Sequence, residues 1–278
     1  QSASGEDGVS LVDVIDRCCS PMGARLLRQW LAMPVMDIRE LEERYDVVQF
    51  LLDNEEARGE LQGYISEVGD LERILSRAAT GKILPREVMQ LGRSLSRMEP
   101  IRSLCSETGI AALDKLMKGM RNTGKVLARI QETMAESPAS QLGKGDIIAP
   151  GVDKELDSLR EISRGGKEYL LRMQQSESER TGISSLKIGY NNVFGYYIEV
   201  RNTYRDQVPP EWVRKQTLVN AERYITRELK EYEEKILSAE ATIYEIESRI
   251  FGSLISDIQA GIRDIQENCR IISRLDVL

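Results

Sequence analysis

The sequence predicts a mostly α-helical protein in which two long antiparallel helices carry a small inserted antiparallel β module. Three observations lead there. Charged residues make up 30% of the chain and aromatics 5%, a balance that favours helices over a sandwich or barrel. The stretch Ile183–Arg227 breaks from it, with seven Lys/Arg against four Asp/Glu and seven of the fifteen aromatics. That stretch is +3 inside a chain of −7, so the rest carries −10. On either side of it apolar residues recur at helical spacing. A length of 278 residues permits one large or two medium domains with ample core.

Taken in order, residues 1–8 are polar and read as frayed. Ser10 caps a first helix with Leu11, Val14 and Ile15 on one face, and Ser20-Pro21 opens a second over Met22–Met33. Met33-Pro34 ends that helix. Asp37 caps a third, with an expected apolar stripe of Ile38, Leu41, Tyr45, Val48 and Leu52. Further helices are expected near 54–67, 70–79, 85–97, 108–119 and 122–135, with breaks at Gly81, Pro85, Pro100 and Gly109. The Ser/Pro/Gly-rich run Glu136–Gly151 reads as a loop.

A long helix then spans about 152–181, interrupted by Gly165-Gly166, which is read as a hinge. Within the β module, Leu186, Ile188, Tyr190 and then Phe194, Tyr196, Ile198 alternate with polar neighbours, the strand pattern. Asn191-Asn192 between them is where a tight turn wants residues that tolerate positive φ. After Pro209-Pro210 come a third strand in Trp212–Val219 and a short fourth in Glu222–Thr226. The returning helix starts near Arg227, and its seam runs Leu229, Tyr232, Ile236, Ala239, Ile243, Ile246, Ile250, then Leu254, Ile258, Ile262, Ile265. A rod of about 45 residues is roughly 70 Å long. The expected divisions are 1–150 (helical core), 151–182 (outgoing helix), 183–227 (β module) and 228–278 (returning helix).

Several chemistries are excluded or disfavoured. The chain has no histidine, which removes His-ligated metal sites and His-based acid/base or triad catalysis. The four cysteines, Cys18, Cys19, Cys105 and Cys269, form no C-x-x-C pair and read as reduced thiols of a cytoplasmic protein. No apolar run reaches the length of a bilayer span, so no membrane partner is expected. Gly119–Val126 fits G-x-x-x-x-G-K, but Val126 stands where a Ser/Thr must ligate magnesium, and helix rather than strand is expected before it. The Glu-rich run Glu228–Glu234 reads as a solvated helix start.

The β module is the candidate binding site. Lys187, Arg201, Arg205, Arg214, Lys215, Arg223 and Arg227 are interspersed with Asn191, Asn192, Asn202, Gln216, Thr217 and Asn220. Cations mixed with amide and hydroxyl donors bind phosphate oxygens without reading sequence. The ordinary alternative is a solvated hairpin whose aromatics serve its own small core.

Glu179–Val200 (ERTGISSLKIGYNNVFGYYIEV) and Arg214–Leu237 (RKQTLVNAERYITRELKEYEEKIL) resemble the clamp region of the bacterial MutS family of DNA mismatch-repair recognition proteins. Ser10–Val35, Val68–Leu75 and the closing LDVL agree with the same family in order, and Cys18-Cys19 depart from its usual residues. The resemblance implies a core and lever domain with an inserted clamp, part of a longer protein. In that family a dimer encircles double-stranded DNA, and levers join the clamps to an ATPase domain that uses ATP and magnesium. This chain has neither the family's Phe-x-Glu wedge nor a valid phosphate loop. No catalytic residue, metal site or cofactor is therefore expected here. The expected DNA contacts are Lys187, Asn191, Asn192, Arg201, Arg214, Lys215, Thr217 and Asn220. The expected partners are double-stranded DNA, a second copy of the protein and other mismatch-repair proteins. The rival reading is an arm that docks protein and has no DNA affinity, and charge reversal at Arg214 and Lys215 separates the two.

Overall fold

The computed structural model describes residues 9–278, apart from the side chains of Arg164 and Lys167; the expectation for residues 1–8 lies outside the described residues. In chain order the elements are α1 (Leu11–Ile15), α2 (Pro21–Ala32), α3 (Ile38–Asp53), α4 (Glu55–Val68), α5 (Leu71–Ala79), α6 (Pro85–Ser96), α7 (Met98–Cys105), α8 (Ala111–Gly119), α9 (Gly124–Thr133) and α10 (Lys154–Thr181). Then follow β1 (Lys187–Asn191), β2 (Gly195–Arg201), a 3-10 helix (Asn202–Gln207), β3 (Val213–Thr217), β4 (Ala221–Ile225), α11 (Arg227–Ala260) and α12 (Ile262–Val277). The expected class, mostly helical with a small antiparallel sheet, is what is found. Two compact units result: Gln1–Ala149 with Ile250–Leu278, and Pro150–Arg249. No helix among the described residues is long and apolar enough to cross a membrane.

In the first unit the helix starts follow the capping signals. The Ser10 side chain accepts from the Asp13 amide, Ser20 from Gly23, and Asp37 from Arg39 and Glu40, so orphan amides of each first turn are satisfied. Val68, Leu71, Val88, Leu91, Ile101 and Ile272 are fully buried at the centre. The chain's last turn is tied to α2: the Asp276 carboxylate accepts from the Cys19 amide at 2.7 Å, the Ser20 amide at 2.9 Å and the Ser20 hydroxyl at 2.7 Å. Asp276→Ala strips three donors of their acceptor at once, and the expected loss is about 2–3 kcal/mol in a urea unfolding curve. An unchanged midpoint would mean that water replaces the carboxylate without cost. The same carboxylate bears on the neighbouring thiols. Burial first, then the charge of Asp276, push the Cys18 thiol up to about 12, so little thiolate exists near neutral pH. Iodoacetamide at pH 7.5 is expected to label Cys18 far more slowly in the native chain than in the urea-unfolded chain.

Four expectations need correcting. The stripe of α3 is rotated: Val47 and Leu51 are buried, while Ile38, Tyr45 and Leu52 are 62–70% exposed. The face that Val47 and Leu51 bury continues to the half-buried Arg44, whose guanidinium lies 3.5 Å from the Trp30 ring centroid, so a cation–π contact takes the place of an apolar one there. Pro100 does not separate elements; it sits in the first turn of α7, where a missing amide costs nothing. The returning rod is two helices, α11 and α12, divided at Gly261. The interruption expected at Gly165-Gly166 is absent, for α10 runs through both residues as one helix. Gly166 serves close approach instead, since a Cβ there would lie 2.6 Å from the Tyr232 hydroxyl.

The look-alike phosphate loop also resolves plainly. α8 feeds the turn and α9 begins at Gly124, so a helix stands where a phosphate loop needs a strand.

In the second unit α10 and the first part of α11 run antiparallel, as their successive contacts require: Asp153 with Arg249, Arg160 with Glu247, Tyr169 with Tyr232. Leu229, Ile236, Ala239 and Ile246 of the expected seam are buried. The sheet at the far end of this pair has strand order β1-β2-β4-β3, all antiparallel.

Candidate nucleic-acid interface

The sheet has one face for the core and one for solvent, and the register decides which side chain goes where. Ile188, Ile198, Tyr224 and Arg214 are paired across the four strands and therefore share a face. With Ile183, Leu186, Val200, Trp212, Met173 and Leu229, the apolar members of this face build the module's own core. The opposite face carries the row Lys187, Glu199, Arg223 and Gln216, again one residue from each strand. As expected for aromatics that serve the module's own small core, Tyr196, Trp212 and Tyr224 pack into or against it.

The turn between β1 and β2 departs from the expected Asn-Asn geometry. Asn191 ends β1 opposite Gly195, leaving a three-residue connection, 192–194. Its side-chain oxygen accepts from the Val193 amide at 2.8 Å. The residue with positive φ is Gly195, at 82°. This is the pattern of a three-residue hairpin loop closed by a glycine in the left-handed region.

That register splits the expected contacts into two places. Lys187, Arg201, Arg214, Lys215, Thr217 and Asn220 fall in one half of the sheet. Arg201 is paired with Ala221, and Thr217 with Glu222. The Asn220 carbonyl accepts from the Asn202 amide at 3.1 Å, and the Asn202 side chain donates to Val219 O at 3.0 Å. Asn191 and Asn192 lie at the other end of β2, which at 3.3 Å per residue is about 20 Å from Arg201.

The cations are not equivalent. Arg223 is consumed by the sheet itself: its Nε donates to Glu199 at 2.9 Å, its Nη1 to Gln216 at 2.9 Å, and it lies 4.3 Å from the Tyr197 ring centroid. Arg227 pairs with Glu231 on its own helix at 2.7 Å. Arg214 donates to Glu222 at 3.0 Å and keeps half of its side chain exposed. Lys187, Arg201 and Lys215 are exposed and form no ion pair among the described residues. Lys215 stands at the register shift between Arg214 and Gln216, a bulge in an edge strand, the kind of position where a bulge re-aims a side chain.

Sequence reasoning missed Glu222. It is buried, 3% exposed, in a strand whose neighbours advertise basicity. The Tyr224 hydroxyl donates to it, and Arg214 and Arg205 approach its other oxygen. The tyrosine hydrogen bond first, then Arg214 and the two guanidinium charges, hold its carboxyl below the usual glutamate range against the opposing effect of burial. Burial and the same hydrogen bond push Tyr224 up to about 12. The signal was present in the alternation, because Glu222 sits two residues before the core-facing Tyr224.

A carboxyl lowered in the folded state contributes stability that is present above its unfolded pKa, about 4.3, and is lost as pH falls through its folded value. The melting-temperature gap between the parent chain and Glu222→Gln is therefore expected to be widest near neutral pH and to narrow below about pH 4. A gap that does not change with pH would remove the charge from the account.

Comparison with known proteins agrees with the resemblance in the sequence. The family model of MutS domain III matches residues 1–278. The chain is 49% identical over 273 residues to the DNA mismatch repair protein MutS of Parabacteroides distasonis, covering 98% of this chain and 31% of that protein. It is also 49% identical over 276 residues to the protein of the same name from Christiangramia forsetii, covering 99% and 32%. The chain thus spans about a third of the length of these relatives. A match over the whole chain, together with identities near one half, places it: the chain belongs to the MutS domain III family.

Proposed function

We propose that this chain is the lever and clamp segment of a DNA mismatch-repair recognition protein, and that its β module grips the backbone of duplex DNA without reading sequence. The observation that carries this reading is the set of exposed cations that make no ion pair among the described residues, Lys187, Arg201 and Lys215, in the half of the sheet that also holds Thr217 and Asn220. Such cations release counterions when they meet phosphates, while hydroxyl and amide donors fix the position of the backbone. Asn191 and Asn192, at the other end of the sheet, would meet a different stretch of backbone.

The antiparallel α10 and α11 would act as the lever. Their contacts are stacked tyrosines and a buried ion pair, an arrangement suited to passing on a rigid-body displacement. A second copy and other repair proteins are the partners this reading calls for. ATP and magnesium would be held in parts of the longer protein outside this chain, which itself has no catalytic role. In the longer protein Gly165 and Gly166 would be the place where α10 yields.

The test is fluorescence anisotropy of a labelled duplex titrated with the chain at low and physiological salt, with matched and mismatched duplexes in parallel. Binding that weakens steeply with salt and ignores the mismatch is expected. A second reading, a protein-docking tip, is favoured by Val219, which is 92% exposed beside Asn220. It would be preferred if no duplex bound even at low salt.

A further inference from the structure

Glu222 gathers two arginines where one would satisfy it. Its Oε1 lies 3.0 Å from Arg214 Nη1 and 3.6 Å from Arg205 Nε, and the Tyr224 hydroxyl takes Oε2. The carboxylate is 4% exposed, whereas the arginine side chains are 61% (Arg205) and 50% (Arg214) exposed. The arginines come from different elements, Arg205 from the 3-10 helix and Arg214 from β3. The start of that 3-10 helix is fastened to the β3–β4 connection by the two Asn202 hydrogen bonds.

The donor inventory is lopsided. Each guanidinium carries five N–H donors. Within the described residues one of these ten, on Arg214, donates a hydrogen bond; the contact of Arg205 is one of charge alone. One negative charge faces two positive ones, so the cluster keeps a net positive charge at the surface. Two unlike guanidiniums brought together this way match the oxygens of a phosphate, which planar forks bind through paired hydrogen bonds. The buried carboxylate offsets their repulsion before any ligand arrives, so the arrangement is preorganised.

We infer that Arg205 and Arg214, gathered by Glu222, form a single seat for one backbone phosphate of duplex nucleic acid. This rests on the proposed DNA-binding role of the module. It adds Arg205 to the contacts and makes Glu222 a positioning residue that touches no ligand. Within this half of the sheet it separates Lys187, Arg201 and Lys215, which act as single point charges, from one place where two side chains share an anion.

The experiment measures duplex affinity by anisotropy over a potassium chloride series, using the whole chain and the variants Arg205→Gln, Arg214→Gln, the double variant and Lys187→Glu/Lys215→Glu. Arg205→Gln leaves Arg214 and Tyr224 on Glu222, and a melting curve confirms folding for each variant. If the two arginines share one phosphate, each single variant weakens binding by about five- to tenfold, and the double variant lowers the log K against log salt slope by no more than about 0.9, the value for one phosphate. A slope loss of about 1.8 in the double variant would mean two separate contacts and overturn the shared seat. Loss in Arg214→Gln with none in Arg205→Gln would overturn it as well, while leaving the clamp reading intact. If the parent chain does not bind, or the lysine reversal and both arginine variants bind as the parent does, the clamp reading itself falls and the seat with it.

Discussion

Glu247→Ala is expected to destabilise the second unit by about 3–5 kcal/mol, the usual consequence of stranding one member of a buried ion pair. Arg160 Nη2 and Glu247 Oε1 are 2.6 Å apart, with side chains 5% and 2% exposed, and they join α10 to α11. Removing the carboxylate leaves the Arg160 charge buried, with Asp157 still 3.7 Å away to offset part of it, which points to the lower end of that range. The measurement is urea unfolding followed by Trp212 fluorescence in a Trp30→Phe background, because Trp212 belongs to the core of the β module. The pair need not be the most stabilising choice for those positions. Arg160→Met/Glu247→Leu, which removes both charges and keeps volume, is expected to recover most of the loss. A single variant as stable as the parent would show that water reaches the pair.

Reversing two charges on the β module should have the largest effect on binding. Arg214 is a poor choice for a clean test, since it partners a buried carboxylate, whereas Lys187 and Lys215 are exposed and make no ion pair among the described residues. Lys187→Glu/Lys215→Glu is expected to lower duplex affinity by about a hundredfold near 100 mM salt and to reduce the salt slope by about 2. The melting temperature should stay within a degree or two of the parent, as is usual for surface substitutions. A docking arm would instead keep whatever weak DNA binding it had, with its slope unchanged.

How far the fold could be read from the residues depended on whether the signal was local. Caps at Ser10, Ser20 and Asp37 act through atoms two or three residues away, so their sequence signature is complete in itself. The first two strands, too, announced themselves by period-two alternation around Ile188 and Ile198. The misplaced features depend on distant partners. The stripe of α3 turns because Arg44 stacks on Trp30, a residue of another helix. Glu247 lies four residues after Ile243 on the seam, yet its burial makes sense only once Arg160 is opposite. Pro100 was misread for a different reason: a proline signals a helix start as readily as a stop, and only the caps around it decide. In the candidate site, composition identified the basic residues but could not separate Arg223, held by Glu199 and Gln216, from Lys187, which makes no ion pair among the described residues. Register makes that distinction, and register is a property of pairs of strands.

The two outer strands of the sheet bear on a hazard unrelated to ligand binding. An open strand edge is a template on which another chain can polymerise. On the β1 side, Gln174 of α10 accepts the outward Ile188 amide at 2.9 Å, so a glutamine takes the place that an intruding strand would need. On the β3 side, the irregularity at Lys215 breaks the spacing of outward amides and sets a charge among them. Copies of such a module could therefore be crowded together without zipping into a shared, growing sheet. The lysine proposed to meet a phosphate would also keep the protein from attracting itself.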